Sequence, residues 1–267
     1  MRRIAHLSDL HFGRTDPAVL LALTATLRET KPHVVVVSGD LTQRARNREF
    51  AAARDYLASL AVPLIVVPGN HDVPLYNVYM RAFHPLARYR RYFGDDPTPC
   101  FIDDEIAIVG VNTARAMTFK DGRINSDQAA HVCRRVESLS GEVTRIVVTH
   151  HPFEASDGDR VGRADMAMAH FADCRIDLIL SGHLHAVGTA FSTGRYRLEG
   201  YSALLVQAGT ATSIRRRGEP NSFNLIHVDG SEVAIERQVW DAARRVFTVA
   251  AADRFRRTAG QWAGDTS

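Results

Sequence analysis

The 267-residue chain contains 45% hydrophobic, 24% charged and 8% aromatic residues, and its formal net charge is +3. This composition fits one large globular domain or two small ones, and it excludes a disordered chain, a collagen-like repeat and a small disulfide-stapled domain. Its longest apolar runs are strand-sized. They fall far short of the about 20 residues that cross a bilayer, so we expect no membrane-spanning helix. Contact with a membrane surface is disfavoured but stays open as an alternative.

The amino terminus resembles the basic start of an export signal, but His6 and Asp9 interrupt the apolar stretch that such a signal requires. We therefore expect a cytoplasmic protein. Any disulfide pairing leaves one cysteine over, because the chain has only Cys100, Cys133 and Cys174, all far apart. This usage favours free thiols in a reducing compartment.

Five short apolar runs, each followed by side chains that can bind a metal, organise the first two thirds of the chain. They occupy residues 3–8, 33–39, 63–69, 145–149 and 177–182. Continuous Val, Ile and Leu runs are typical of strands buried on both faces. Segments with helical patterning lie between them, at about 17–30, 47–60, 126–139 and 163–174. This order predicts an α/β protein with a parallel sheet, whose strand ends bring the polar side chains into one crevice.

The remaining segments have a different pattern. Residues 101–112 predict a hairpin, with the acidic trio Asp103 to Glu105 in its solvated turn. Between 186 and 239 one apolar run follows another, which predicts a second sheet, mixed or antiparallel, packed on the first. We expect one domain over residues 1–240. The arginine-rich residues 241–267 are interpreted as a peripheral helix with a frayed end.

The side chains after the five apolar runs form a candidate metal-binding set. Its members are Asp9, His11, Asp40, Asn70, His150, His183 and His185. In extended backbone, residues two apart project to the same side, so Asp9 with His11 and His183 with His185 can each present two donors together. Carboxylate, amide and imidazole ligands suit borderline divalent ions such as Mn, Fe, Co or Zn. Seven ligands are too many for one catalytic ion and about right for two that share a carboxylate.

Two ions about 3.5–4 Å apart can clamp the attacking and leaving oxygens of a displacement at phosphorus, and they lower the pKa of bound water towards about 7. Phosphoester hydrolysis needs both effects, because its anionic substrate repels a nucleophile. The pattern therefore predicts a phosphoesterase.

Five motifs in order resemble those of the calcineurin-like metallophosphoesterase superfamily. They are Asp9-x-His11, Gly39-Asp40, Gly69-Asn70-His71-Asp72, His150 and Gly182-His183-Leu184-His185, which together span residues 9 to 185. The details are most similar to the bacterial class III cyclic-nucleotide phosphodiesterases, a branch that includes glycerophosphodiesterases. The resemblance implies a four-layer α/β/β/α sandwich of two mixed sheets flanked by helices.

The resemblance also implies a role for each residue. Asp9, His11 and His185 hold the first metal, Asp40 bridges, and Asn70, His150 and His183 hold the second, with His150 preferred over its neighbour His151. His71 stabilises the transition state or protonates the leaving alkoxide, and Asp72 orients His71.

The sequence indicates the substrate-binding residues less clearly than the metal ligands. Arg14 and Arg44 follow ligand-bearing turns, and Arg215 lies in a basic loop; each could contact the phosphate, although any could be an ordinary surface arginine. The segment 75–93 interleaves aromatic residues with arginines. It could form a cap that contacts a nucleobase or a lipid, an ordinary helix, or a contact between copies in a homo-oligomer.

The leading hypothesis is a dinuclear metal phosphodiesterase in which a metal-bridging hydroxide attacks cyclic nucleotides or glycerophosphodiester-like substrates. The alternatives are a phosphomonoesterase, a nucleotide-lipid pyrophosphatase, and a metal-free scaffold, which the intact ligand set disfavours. The low net charge and the lack of lysine clusters disfavour long nucleic acid as a partner.

Overall fold

The computed structural model describes residues 1–118, 120–156, 158–214 and 218–264. Its strands are β1 (Arg2–Leu7), β2 (Val34–Ser38), β3 (Leu64–Val67), β4 (Cys100–Ile102), β5 (Ile106–Gly110), β6 (Thr144–Val148), β7 (Leu178–Ser181), β8 (Gly188–Phe191), β9 (Leu204–Gln207), β10 (Ser222–Asp229), β11 (Glu232–Asp241), β12 (Val246–Thr258) and β13 (Gln261–Gly264). Its α-helices are α1 (Pro17–Thr30), α2 (Asn47–Ser59), α3 (Val78–Phe83), α4 (Ala87–Phe93), α5 (Ser126–Val136) and α6 (Ala164–Asp173). The four helices expected from periodicity are therefore confirmed to within a few residues.

Two mixed sheets form the centre of the molecule. The first has the order β13-β12-β11-β10-β1-β2-β3, and the second has the order β4-β5-β6-β7-β9-β8. β1, β2 and β3 are parallel to one another, as are β5, β6, β7 and β9. Apolar side chains from both sheets, such as Ile4, Val36 and Ile146, pack together in the layer between them.

Helices cover the outer face of each sheet. Leu23 of α1 and Phe50 of α2 pack in a cluster with Leu7 of β1. On the other side, Val132 of α5 and Phe171 of α6 pack against the second sheet. This arrangement confirms the predicted α/β/β/α sandwich.

The prediction that residues 186–239 build the second sheet by themselves is wrong. β8 and β9 complete the sheet of β5, β6 and β7, whereas β10 returns to pair with β1 in antiparallel register, with Ile4 opposite Ile226. The five strands that precede the candidate ligands are therefore divided, three in the first sheet and two in the second. Their carboxyl ends still meet, because the two sheets pack face to face.

The expected carboxy-terminal helix is also wrong. β12 pairs with β11 along its length, and β13 folds back on β12. Phe247 packs against Phe223 and Trp240, while Phe255 and Trp262 are buried between the sheets. These aromatic anchors stabilise strands in a segment whose many arginines remain on the solvent side.

The predicted hairpin is confirmed as β4 and β5, with Asp103, Asp104 and Glu105 in its turn. The turn is less solvated than expected, since Arg2 makes ion pairs with all three carboxylates at 2.8 to 3.0 Å. The acidic trio therefore ties the hairpin to the start of β1.

The expectation of three free thiols is wrong for two of them. Cys133 of α5 and Cys174, directly after α6, form a disulfide, and their Cα atoms lie 5.3 Å apart. The two residues meet because α5 packs against α6 on the outer face of the second sheet. Cys100 is a free thiol.

No α-helix in the described ranges has the length and apolar character needed to cross a bilayer.

Candidate metal centre

The first group of candidate ligands comes from the ends of β1 and β7. One ligand atom each from Asp9, His11 and His185 lies within 4.8 Å of the other two. Asp9 Oδ1 is buried and accepts no hydrogen bond from the described residues, yet it lies 3.5 Å from His11 Nε2 and 3.4 Å from His185 Nε2. A buried carboxylate oxygen among imidazole nitrogens is the environment that a cation would complete.

The hydrogen bonds behind this group fix its orientation. Asp9 Oδ2 accepts from the Ser8 hydroxyl at 2.7 Å and from the His183 backbone N–H at 3.1 Å, which leaves Oδ1 for the cluster. His185 Nδ1 lies 2.6 Å from the Thr210 hydroxyl, so Nε2 is the nitrogen directed at Asp9. Such supporting contacts set the ligating nitrogen of a metal-binding histidine.

The second group comes from the ends of β2, β3 and β6. His150 Nδ1 lies 2.8 Å from the backbone carbonyl oxygen of Ser38. Because a carbonyl oxygen only accepts, Nδ1 donates to it, and Nε2 is the nitrogen that faces the cluster. Nε2 lies 3.1 Å from Asn70 Oδ1 and 3.4 Å from Asp40 Oδ1. One ring nitrogen and two side-chain oxygens thus converge, as the ligands of a cation do.

Asp40 lies between the two groups. Its Oδ1 faces His150, while its Oδ2 lies 3.7 Å from His11 Nε2. The two oxygens of one carboxylate are therefore directed at different clusters, which is the geometry of a bridging ligand. His183 completes the second group, with its ring centroid 5.1 Å from that of His150.

His151 also lies among these side chains, but both of its ring nitrogens are engaged. Nδ1 accepts from the Thr113 hydroxyl at 2.8 Å, and Nε2 donates to the Lys120 carbonyl oxygen at 2.8 Å. A Cβ at Gly122 would collide with the ring, so Gly122 allows this close packing. The geometry thus favours the sequence-based choice of His150 as the ligand.

Replacing His150 and His151 separately tests which of the two is the metal ligand. We expect His150→Asn to reduce the bound metal from two ions per chain towards one, because it removes the ring nitrogen directed at Asp40. His151→Asn should retain both ions. Elemental analysis of the folded variants after equilibration with manganese measures the difference, and loss of metal in His151→Asn alone would contradict the assignment.

The ligand-bearing turns have unusual backbone conformations. Five of the seven candidate ligands have a positive φ, and they are Asp9 (53°), His11 (47°), Asp40 (52°), His183 (75°) and His185 (61°). This region costs a non-glycine residue roughly 1–2 kcal/mol, and such residues cluster at functional sites. The prediction that the paired ligands project from extended backbone is therefore wrong. Left-handed turns at the strand ends bring each pair together.

His71 and Asp72 differ from each other in their contacts. His71 Nδ1 lies 3.0 Å from the Gln43 carbonyl oxygen, so Nδ1–H donates and Nε2 is left for chemistry in the cavity. Asp72 is fully buried and accepts from the backbone N–H groups of Leu41, Thr42 and Gly69 and from the Thr42 hydroxyl. The expected contact from Asp72 to His71 is absent among these bonds, so Asp72 instead joins the turns that carry Asp40 and Asn70.

The electrostatics favour the ligand forms of these residues. Burial opposes ionisation of Asp40, but the neighbouring His150, His71 and His11 outweigh it and lower the pKa of Asp40 to about 2. Burial and the nearby His150 lower the pKa of His183 to about 4. At neutral pH, Asp40 is ionised and His183 is neutral, which is the state that binds a metal.

The clusters open into a cavity of about 180 Å³. Arg44 lines it, and its guanidinium lies 5.4 Å from the centre of the Tyr76 ring. Arg14 is exposed and does not line the cavity, so the structure separates the two arginines that the sequence treated alike. Arg215 lies outside the described residues.

Sequence reasoning did not single out Arg81, Lys120 or Thr210. Arg81 and Lys120 line the cavity, although Arg81 is bound to the carbonyl oxygens of Pro74 and Thr118. Only Thr210 had a usable signal, since it follows an apolar run and Gly209 in the same way that Asp40 follows Gly39.

Comparisons with known proteins agree with this geometry. Residues 2–187 match the model of the family described as calcineurin-like phosphoesterase. The chain belongs to this family. It is accordingly a metal-dependent phosphoric ester hydrolase, of a family that normally binds two divalent metals.

Named relatives are similar at modest identity. A probable cyclic nucleotide phosphodiesterase from Synechococcus is 26% identical over 210 residues, covering 72% of this chain and 75% of the relative. The glycerophosphodiester phosphodiesterase GpdQ from Enterobacter lignolyticus is 40% identical over 81 residues, covering 26% of this chain and 29% of the relative. A dimetal phosphatase from Danio rerio shares the fold with a TM-score of 0.65 at 12% identity, covering 94% of this chain and 99% of that structure.

Proposed function

We propose that this protein hydrolyses small phosphodiesters with two divalent ions held by the convergent clusters. Asp9, His11 and His185 hold one ion, and Asp40 bridges to the other, which Asn70, His150 and His183 hold. The observation that carries the proposal is the orientation of His150, whose Nε2 is directed at Asn70 and Asp40 while Nδ1 is fixed by the Ser38 carbonyl. When bound, such a pair of ions supplies Lewis-acid stabilisation at phosphorus and a nucleophile at neutral pH.

His71 and Asp72 have separate roles in the proposed reaction. With Nδ1 donating to Gln43, His71 has Nε2 available to stabilise the developing negative charge or to donate a proton to the leaving alkoxide. Asp72 holds the turns around the clusters through its four hydrogen bonds. The orientation of His71 therefore supports its proposed role as the proton donor.

The cavity supports a compact anionic substrate. Its volume of about 180 Å³ is smaller than the roughly 300–1,000 Å³ typical of drug-sized ligand pockets. Arg44 and Lys120 add positive charge to its lining. Tyr76, stacked under Arg44, is 75% exposed and offers a flat surface for a planar substituent. Cyclic nucleotides and glycerophosphodiesters both fit this description, and the names of the relatives favour a diester over a monoester.

A substrate panel tests the proposed specificity. The metal-loaded chain should hydrolyse bis(p-nitrophenyl) phosphate with a higher kcat/KM than p-nitrophenyl phosphate, and it should accept 3′,5′-cyclic, 2′,3′-cyclic or glycerol diesters. Parallel assays with manganese, iron, zinc and cobalt identify the preferred ions, all four of which suit this ligand set. A clear preference for the monoester would overturn the diesterase assignment while leaving the metal centre intact.

Arg44 and Arg14 provide a matched pair for the substrate contact. We expect Arg44→Ala to lower kcat/KM for a charged diester by about tenfold, since an interaction of ~1.4 kcal/mol is lost. Arg14→Ala should stay close to the parent enzyme because Arg14 lies outside the cavity. Steady-state kinetics on both variants measures the difference. An equal loss of kcat/KM in Arg14→Ala and Arg44→Ala would show that the effect comes from overall charge and not from a substrate contact.

We also propose the cytoplasm as the compartment, and the disulfide provides a test of that proposal. In that compartment the Cys133–Cys174 pair would face reduction. Thiol labelling in freshly lysed cells measures its state, and a fully oxidised pair would argue against the cytoplasm.

A further inference from the structure

A second charged cavity lies at the opposite end of the second sheet from the metal centre. Arg145 lines it near the start of β6, whereas His150 follows the end of the same strand. The cavity measures about 160 Å³, and its polar lining comes from Arg145, Arg175, Arg257, Asp177, Tyr201 and Ser202. The carboxy-terminal hairpin of β12 and β13 contributes Arg257 and Gly260, so this segment completes the cavity.

The charge of the lining is unbalanced. Three guanidinium groups surround the single carboxylate of Asp177, which leaves an excess of two positive charges. Asp177 is itself saturated, because it accepts from Arg257 Nη1 at 2.6 Å, Trp262 Nε1 at 3.2 Å and the Arg145 backbone N–H at 2.9 Å. The carboxylate therefore balances Arg257 and leaves the other two arginines without a counter-ion in this cavity.

Arg145 and Arg175 differ in how far the protein satisfies their donors. Arg145 Nη1 donates to the Cys174 carbonyl oxygen at 3.4 Å, and Nη2 donates to those of Leu139 at 3.0 Å and Ser140 at 3.5 Å, while its Nε is buried with no acceptor among the described residues. Leaving such a donor unsatisfied is unfavourable. Arg175 is exposed, and the structure gives its guanidinium neither a hydrogen bond nor an ion pair within the described ranges. Its backbone has a φ of 52°, the left-handed conformation that ends α6.

We propose that this cavity is a second, metal-independent site that binds a phosphate group. Guanidinium forks match the oxygens of phosphate, and charge-assisted bonds are the stronger class of hydrogen bond. At about 30 Å³ per water, the volume has room for about five waters, or for one phosphate group with part of its hydration. Arg175 supplies the free donors, and Arg145 supplies the second uncompensated positive charge.

Titration calorimetry with inorganic phosphate tests the site in the metal-loaded, full-length protein. We expect two phosphates per chain in the parent and one in Arg175→Glu. Phosphate inhibition of diester hydrolysis reports the metal centre and should be unchanged in this variant. After chelation of the metals, the remaining phosphate should still bind to the parent and should bind at least tenfold more weakly to Arg175→Glu. This measurement on the metal-depleted protein does not depend on whether the metal centre hydrolyses diesters.

Arg163→Glu is the matched control. Arg163 is also exposed and also has a positive φ, of 64°, but it lies at the other end of α6 and does not line this cavity. The Arg163→Glu variant should bind phosphate as the parent does. Equal weakening in both variants, or a single phosphate per chain in the parent, would overturn the proposal. A repeat with glycerol 3-phosphate distinguishes a site for free phosphate from one that also accepts a phosphomonoester.

Discussion

Asp40→Asn should lower kcat/KM for bis(p-nitrophenyl) phosphate by about a thousandfold, which corresponds to a loss of ~4 kcal/mol of transition-state stabilisation. The two Asp40 oxygens face His150 Nε2 at 3.4 Å and His11 Nε2 at 3.7 Å. An amide in this position loses the negative charge and presents N–H hydrogens to one of the two clusters. Elemental analysis should therefore show fewer than two ions per chain, in parallel with the kinetic loss.

The substitution is expected to leave the fold intact. Asp40 Oδ1 accepts the His71 backbone N–H at 2.8 Å, and an asparagine carbonyl oxygen can accept the same bond. Asp95→Asn is the matched control, because Asp95 is exposed and lies away from both clusters. Parent-like turnover with two bound ions in Asp40→Asn would show that the carboxylate does not bridge, and the two-metal proposal would fail with it.

The fold was predictable where local pattern determined it. The apolar runs before Asp9, Asp40 and Asn70 are buried strands, and the helices between them follow from periodicity. The distribution of strands between the sheets was not predictable, because it depends on pairing between residues far apart in sequence. Ile226 lies opposite Ile4 only after the chain has completed the second sheet.

The carboxy-terminal segment shows how composition can mislead. Its arginines suggested a solvated helix, but Phe255 and Trp262 bury their rings between the sheets, and this decides the conformation. The Cys133–Cys174 disulfide is a second example, because it depends on the packing of α5 against α6. The sequence indicated both helices but not the contact between them. Tertiary contacts determined both outcomes.

The sequence identified which residues belong to the candidate site, but it did not predict how their side chains are oriented. The residue types after the strands identified the clusters, yet the positive φ angles that orient Asp9 and His183 have no signal in the sequence. The structure also distinguishes residues that the sequence treated as equivalent. His151 is engaged by Thr113 and Lys120, while His150 keeps its Nε2 directed at the cluster.

Asp72→Asn should lower the free energy of unfolding by about 3 kcal/mol, as expected when a buried hydrogen-bond network is broken. Asp72 Oδ2 accepts from the N–H groups of Gly69 at 2.9 Å and Leu41 at 3.1 Å, and Oδ1 accepts from the Thr42 N–H at 2.9 Å and its hydroxyl at 2.8 Å. An asparagine keeps one accepting oxygen and turns an NH₂ group towards the other donors. Urea unfolding of the metal-depleted chain measures this loss separately from metal binding.

The same variant distinguishes the two roles considered for Asp72. Asp16→Asn is the control, because Asp16 caps α1 by accepting the Ala18 N–H and asparagine caps a helix equally well. A clamp between the turns requires that Asp72→Asn lose stability without metal and bind both ions more weakly, while Asp16→Asn does neither. If Asp72→Asn instead kept its stability and lost only turnover, with a shifted pH profile, Asp72 would act on His71, and the contacts to Leu41, Thr42 and Gly69 would be incidental. The four hydrogen bonds to these three residues favour the clamp, because they already occupy both oxygens of the carboxylate.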